Sequence, residues 1–89
     1  MEEAWIGDAV LCLHARGKIL EAGGIDSELF VRMTSNRFLS TVGEASEVEA
    51  EIGRVYRSEG LQAAFQWIEA NLSPRFVRQE TNRLKRGGG

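Results

Sequence analysis

The chain has 89 residues, of which 43% are hydrophobic and 27% charged, and its formal net charge is −2. This composition is typical of one small globular domain and excludes disordered and fibrous proteins. No apolar stretch approaches the roughly 18 residues of a membrane-spanning helix and no signal peptide is visible, so we expect a cytoplasmic protein without membrane contact. One cysteine, Cys12, and one histidine, His14, exclude an internal disulfide and a Cys/His zinc site.

The spacing of the apolar residues predicts an all-α fold, because they recur at helical intervals and form no alternating strand pattern of useful length. A first helix from Glu3 to Glu21 should end at Gly23 and Gly24, since glycine favours the conformation of a helix C-cap. Its first half is apolar on nearly all sides, which indicates burial on several of them. After a cap at Asp26 or Ser27, we expect either one bent helix or two short ones.

Later helix starts are marked by residues that cap or initiate helices, at Thr34 or Ser35, Ser46, Gly60 and Pro74. Ser46 is followed three residues later by Glu49, which matches a capping box. Five basic residues follow Pro74, and the chain ends in three glycines. The sequence therefore predicts a helical domain over residues 1–76 and a basic C-terminal tail over residues 77–89.

Two acidic residues, Asp8 and Glu49, stand among apolar neighbours on segments that also carry interior glycines, Gly7 and Gly53. An unpaired carboxylate out of water is unstable, so each needs a cation, a metal ion, a proton or a helix end to cap. Interior glycines are typical of places where two backbones approach closely. The pattern indicates that Asp8 and Glu49 meet at a helix crossing and bind Mg²⁺ or Mn²⁺, which prefer oxygen ligands. For Glu49, the alternative of a capping box with Ser46 stays open.

Three stretches resemble the ribonuclease III family, in the family's order along the chain. Trp5–Leu11 resembles the signature helix, whose common form is Glu-Phe-Leu-Gly-Asp-Ala-Val-Leu. Ser35–Ser40 is similar to a Val-Asn-Asn-x-x-Leu-Ala stretch. Val48–Leu61 is similar to the second acidic segment, Phe-Glu-Ala-Leu-Ile-Gly-Ala-Ile-Tyr-Leu-Asp-x-Gly-Leu. The similarity covers about residues 4–76.

The resemblance implies a homodimeric endonuclease domain that cuts both strands of double-stranded RNA with carboxylate-bound Mg²⁺ or Mn²⁺. Asp8 and Glu49 match family acids that are catalytic and bind the metal. Two other family acids are absent, because Ala4 and Ser46 stand in their places. The small Mini-III branch also has Ala-x-Ile-Gly-Asp and keeps the same two acids. The short interval between Asp8 and Glu49 indicates a truncated ribonuclease III-like helical bundle.

Three functions remain in competition at this point. The first is a Mini-III-like endoribonuclease; the second is a degenerate relative that binds RNA or a protein without cutting; the third is a helical dimerisation module. The first helix and residues 29–42 are the expected dimer interface, and the aromatic side chains and Cys12 are expected in the core. His14 is expected either at the surface or behind a site residue that it supports. Candidate contacts to RNA phosphates are the basic residues Arg37, Arg54, Arg57, Arg75 and Arg78.

Overall fold

The structure, a computed structural model, describes residues 2–87 and forms six helices within them. They are α1 (Glu2–Ala22), α2 (Ser27–Thr34), α3 (Asn36–Leu39), α4 (Ala45–Glu59), α5 (Leu61–Asn71) and α6 (Ser73–Gly87). No β-strand occurs in this part of the chain, so the prediction of an all-α fold is confirmed. Gly88 and Gly89, the last residues of the predicted tail, lie outside the described residues.

Most of the predicted helix ends are confirmed. Gly23 and Gly24 follow α1 with φ angles of 146° and 128°, values that an L side chain rarely adopts. Asp26 caps α2 and Ser35 caps α3, each accepting a hydrogen bond from the backbone N–H three residues later, at 3.0 and 3.1 Å. The segment after α1 therefore forms two short helices instead of one bent helix.

The predicted capping box at the start of α4 is wrong. Ser46 lies inside the helix, which begins one residue earlier because Glu44 is its N-cap. The Glu44 carboxylate accepts the backbone N–H of Glu47 at 3.0 Å and satisfies one of the free donors of the first turn. Glu49 therefore does not cap α4, and the alternative of a capping box with Ser46 is excluded.

A single glycine, Gly60, joins α4 to α5. Its N–H donates to the carbonyl of Tyr56 at 2.9 Å and ends α4, while the same residue is the N-cap of α5. Its φ of 98° lies in the region that favours glycine, so the residue type is set by the turn. The predicted start of a helix at Gly60 is confirmed.

Helix α1 is the centre of the bundle and contacts α2, α4 and α5. Its buried side carries Val10, Leu11 and Ala15. The other members of the core come from α3, α4 and α5 and from the turn after α5: Phe38, Leu39, Val48, Ile52, Ala64, Ile68 and Leu72. The core thus lies on one side of α1, and the opposite side faces solvent.

The exposed side of α1 carries large apolar residues. Trp5 is 82% exposed, Leu13 54% and Leu20 59%. The expectations that α1 is buried on several sides and that Trp5 belongs to the core are therefore wrong for the single chain. Tyr56 is also partly exposed, whereas Phe38 is buried as expected.

Helix α6 runs without a break across the predicted boundary between residues 76 and 77. Phe76 packs edge-to-face on Phe38, with ring centroids 5.3 Å apart. Further along, Arg32 of α2 donates two hydrogen bonds to the Glu80 carboxylate, at 3.0 and 3.2 Å. The described part of the predicted tail is thus a continuation of α6. None of the helices in residues 2–87 combines the length and the apolar character that crossing a bilayer requires.

Candidate functional site

Helices α1 and α4 cross with their backbones in contact at two glycines. A Cβ atom on Gly7 would overlap the carbonyl oxygen of Glu49, and a Cβ on Gly53 would overlap the carbonyl oxygen of Glu3. The helices run antiparallel there, because the earlier residue of α1 faces the later residue of α4. The predicted role of both glycines in a close approach is confirmed by this geometry.

The crossing brings together the two acids that the sequence singled out. The Glu49 carboxyl lies within hydrogen-bonding reach of the Asp8 carboxyl. Burial raises the pKa of Glu49 most, followed by the hydrogen bond and charge of Asp8 and the charge of Glu44, and together they bring it from 4.5 to about 7. Residues far apart in the chain thus form one acid pair, defined here as Asp8 and Glu49.

The premise that Asp8 is buried is wrong for the single chain. Asp8 lies on the exposed side of α1, near Trp5 and Ala9, and Glu49 is half-buried. Of the apolar neighbours that suggested burial, Trp5 and Ala9 are exposed with Asp8, whereas Val10 and Leu11 point into the core. Cys12 is also half-buried, and its Sγ lies 4.0 Å from Asp8 Oδ1. Burial, followed by the Asp8 charge, raises the pKa of the Cys12 thiol.

The donor set of the acid pair fits a divalent cation. Within residues 2–87, no Lys, Arg or His side chain forms an ion pair with Asp8 or Glu49. Two adjacent carboxylates without a cationic partner repel one another, and a bound cation would remove that repulsion. No group of three or more His, Cys, Asp or Glu side chains in the described chain could hold a metal ion. The remaining coordination positions would therefore go to water and substrate oxygens, as is common for Mg²⁺.

Three of the five predicted RNA contacts lie in one groove between α6 and the region of α2 and α3. We call this surface the basic groove, and it is lined by six arginines: Arg32, Arg37, Arg75, Arg78, Arg83 and Arg86. Arg75 Nη1 donates to the carbonyl oxygen of Thr41 at 2.8 Å, which ties α6 to the turn that leads into α4. The structure therefore groups Arg37, Arg75 and Arg78.

The other two predicted contacts, Arg54 and Arg57, lie on α4 outside the basic groove. Arg54 lies 2.9 Å from a carboxylate oxygen of Glu51. Arg57 reaches across to α1, where its Nη1 lies 3.0 Å from Glu3 Oε2. Both guanidinium groups are thus paired with acids, which reduces their capacity to bind phosphate.

His14 and Glu69 form a buried polar contact that the sequence did not predict. His14 is only 6% exposed, its Nε2 lies 3.1 Å from Glu69 Oε1, and its ring packs edge-to-face on Phe65. Hydrogen bonds from Lys18, Ser73 and His14, the first being strongest, lower the pKa of Glu69 to about 2. Of the two expected positions for His14, the surface position is therefore wrong. The sequence did contain a signal for this burial, because His14 lies three residues after the core residue Leu11 and therefore on the same face of α1.

The acid pair holds two carboxylates, and the basic groove is lined by six arginines. Ala4 has no side-chain atom that could bind a metal ion. No protein-family model, curated protein or solved structure matches the chain.

Proposed function

We propose that the chain is a Mini-III-like endoribonuclease that hydrolyses phosphodiester bonds of double-stranded RNA, with Mg²⁺ or Mn²⁺ held by Asp8 and Glu49. The observation that supports this proposal is the close approach of α1 and α4 at Gly7 and Gly53, which brings Asp8 and Glu49 near one another without a cationic side chain to neutralise them. A structural role alone would be better served by an ion pair or an apolar contact at the same position.

The chain's own residues would prepare the reaction in two ways. The glycine contacts fix the separation of α1 and α4, so the backbones that carry the two carboxylates are held close together. The exposure of Asp8 leaves one side of the pair open to a substrate as large as an RNA duplex. When bound, a divalent ion supplies an activated water and neutralises charge on the phosphodiester.

The proposal includes a homodimer, in which two copies meet along the strip of α1 that carries Leu13 and Leu20. Asp8 lies roughly 120–140° around the helix from these two residues, so this contact leaves it open. Leu13 and Leu20 recur along this strip at helical spacing and expose apolar surface that a monomer would normally bury. A second copy would cover this surface and add a second acid pair, one for each strand of a duplex. Val31, in the other part of the predicted interface, is 61% exposed.

Cleavage of labelled duplex RNA in the presence of Mg²⁺ or Mn²⁺ tests the proposal. The substitutions Asp8→Asn and Glu49→Gln should each lower the cleavage rate by at least about 100-fold. Glu47→Gln is the matched control, since Glu47 lies on the same helix, is 74% exposed and does not belong to the acid pair. Unchanged cleavage by Asp8→Asn, with the control equally active, would refute the proposed site.

The alternative is a degenerate ribonuclease III-like domain that binds RNA or a protein without cutting. One observation favours it: the basic groove contains neither member of the acid pair. Binding of duplex RNA that is indifferent to divalent ions, with no product at any enzyme excess, would establish this function in place of the first.

A further inference from the structure

The basic groove concentrates positive charge on a chain whose formal net charge is −2. One wall is α6 and the other is formed by residues 32–41, and no acidic residue lines either wall. The excess of acids over bases must therefore lie elsewhere on the surface. Such a separation of charges creates a local field that attracts anions even though the whole protein is acidic.

Few of the six arginines in the groove are neutralised within the described chain. Glu80 is the acid that approaches them, and it lies 3.0 Å from Arg32 and 3.4 Å from Arg83. Within residues 2–86, no carboxylate comes within ion-pair distance of Arg37, Arg78 or Arg86. Each guanidinium offers five N–H donors, so the groove retains donors for an incoming anion.

The α6 wall presents its polar residues in one row. Arg75, Gln79, Asn82 and Arg86 all line the groove, and their intervals of four, three and four residues place them on one face of the helix. The row is about 16 Å long at 1.5 Å per residue. It therefore matches an extended polyanion that runs along α6 better than a single small anion.

The neutral members of the groove indicate which polyanion fits. Gln79, Asn82 and Ser35 can both donate and accept hydrogen bonds; Gln79 and Asn82 lie between Arg75 and Arg86 in the row, and Ser35 is on the opposite wall. Phosphate oxygens need donors, whereas a ribose 2′-hydroxyl is recognised by groups that both donate and accept. The carboxylates of an acidic polypeptide only accept, so its charged side chains would make no use of these acceptors.

We propose that the basic groove binds the sugar-phosphate backbone of RNA and does so without a divalent ion. The groove then holds the substrate while the acid pair, with which it shares no residue, carries out hydrolysis. This inference rests on the proposed function for its choice of RNA. It adds Gln79, Asn82 and Arg86 to the binding residues and separates binding from the metal.

The test measures binding of labelled duplex RNA to the full chain in EDTA, over a series of salt concentrations. Arg86→Gln should weaken binding about 3- to 10-fold and lower the slope of log K against log salt by about 0.9. Lys85→Gln is the matched control, because it removes one charge from the adjacent position of the same helix, which does not line the groove. The control should change the slope by less than about a third of that amount.

A second variant, Arg37→Gln, applies the same test from the opposite wall and should add to the effect of Arg86→Gln. Equal losses for Lys85→Gln and Arg86→Gln would overturn the inference, since they would show a general charge effect. Competition by polyglutamate as strong as by unlabelled RNA, or a strict need for Mg²⁺ in binding, would overturn it as well.

The two proposals fail in different ways. If the wild-type chain binds RNA in EDTA with the expected slopes but never cuts it, the groove stands and the nuclease is refuted. If the chain cuts RNA and Arg37→Gln/Arg86→Gln leaves the KM unchanged, the nuclease stands and the groove is refuted.

Discussion

The substitution Gly7→Ala tests the helix crossing on which the acid pair depends. The added Cβ would overlap the carbonyl oxygen of Glu49, which is backbone and cannot rotate away. Inserting a methyl group into a packed site typically costs about 1–3 kcal/mol of stability. We expect a cost at the upper end of that range, because the atom in the way belongs to the backbone. Alanine recovers about 1 kcal/mol of helix propensity, so the expected net loss is about 2 kcal/mol.

Gly17→Ala is the control within the same helix. Nothing lies within 4 Å of a Cβ at Gly17, so only the propensity gain remains and α1 should be stabilised by about 0.5–1 kcal/mol. Two glycine-to-alanine substitutions ten residues apart should thus have opposite signs. For a domain of this size, about 2 kcal/mol corresponds to a fall in Tm of roughly 8–16 °C.

Thermal unfolding followed by circular dichroism, with all variants at one protein concentration, measures both effects. Gly7→Ala should also lower any cleavage rate, because the separation of α1 and α4 sets the separation of the two acids. A Gly7→Ala protein as stable as the wild type would refute the close crossing and with it the geometric basis of the site.

Three further outcomes are expected. Because the pKa of Glu49 is raised to about 7, its carboxyl favours the folded state fully below pH 4.5 and loses that contribution as the pH rises through 7. After allowance for solvent screening, the free energy of unfolding should fall by about 1–2 kcal/mol over this pH range. Either Glu49→Gln or millimolar Mg²⁺ should reduce this decrease. A wild-type free energy of unfolding that does not change with pH would contradict the acid pair. The pKa of Glu69 is lowered, so its pH dependence is opposite: its contribution to stability is present above pH 4.5 and is lost as the pH falls towards 2. Glu69→Gln should lower stability at neutral pH by about 1 kcal/mol or less. An unchanged melting curve would show that the contact with His14 does not stabilise the fold. In analytical ultracentrifugation the wild type should sediment as the proposed dimer, and Leu13→Glu should shift it towards monomer. Val77→Glu, at a comparably exposed apolar residue of α6, should not do so, and a wild-type monomer at high concentration would refute the α1 interface.

The sequence predicted those parts of the fold that depend on local chemistry. Helix ends at Gly23, Asp26 and Ser35 follow from the conformational preference of glycine and from side-chain oxygens that bond to backbone N–H groups close in sequence. The meeting of Asp8 and Glu49 was also predictable, because each has an interior glycine nearby on its helix.

Other features could not be read from local patterns. Whether Ser46 or Glu44 caps α4 depends on a shift of the helix start by one or two positions, and both residues have suitable side chains. The exposure of Trp5 depends on which side of α1 receives the other helices, and an apolar helix gives no periodic signal for that choice. The contact of His14 with Glu69 joins α1 to α5, and pairing between helices is not encoded in either helix alone.

The joint between α4 and α5 has a consequence for the rigidity of the acid pair. Because Gly60 is both the C-cap of α4 and the N-cap of α5, no loop separates the two helices, and this limits how far α5 can move relative to α4. Helix α5 is in turn clamped to α1 through Glu69, which contacts His14 and Lys18. Helices α1, α4 and α5 therefore pack against one another in all three pairs, so the helices that carry the acid pair are both held by α5.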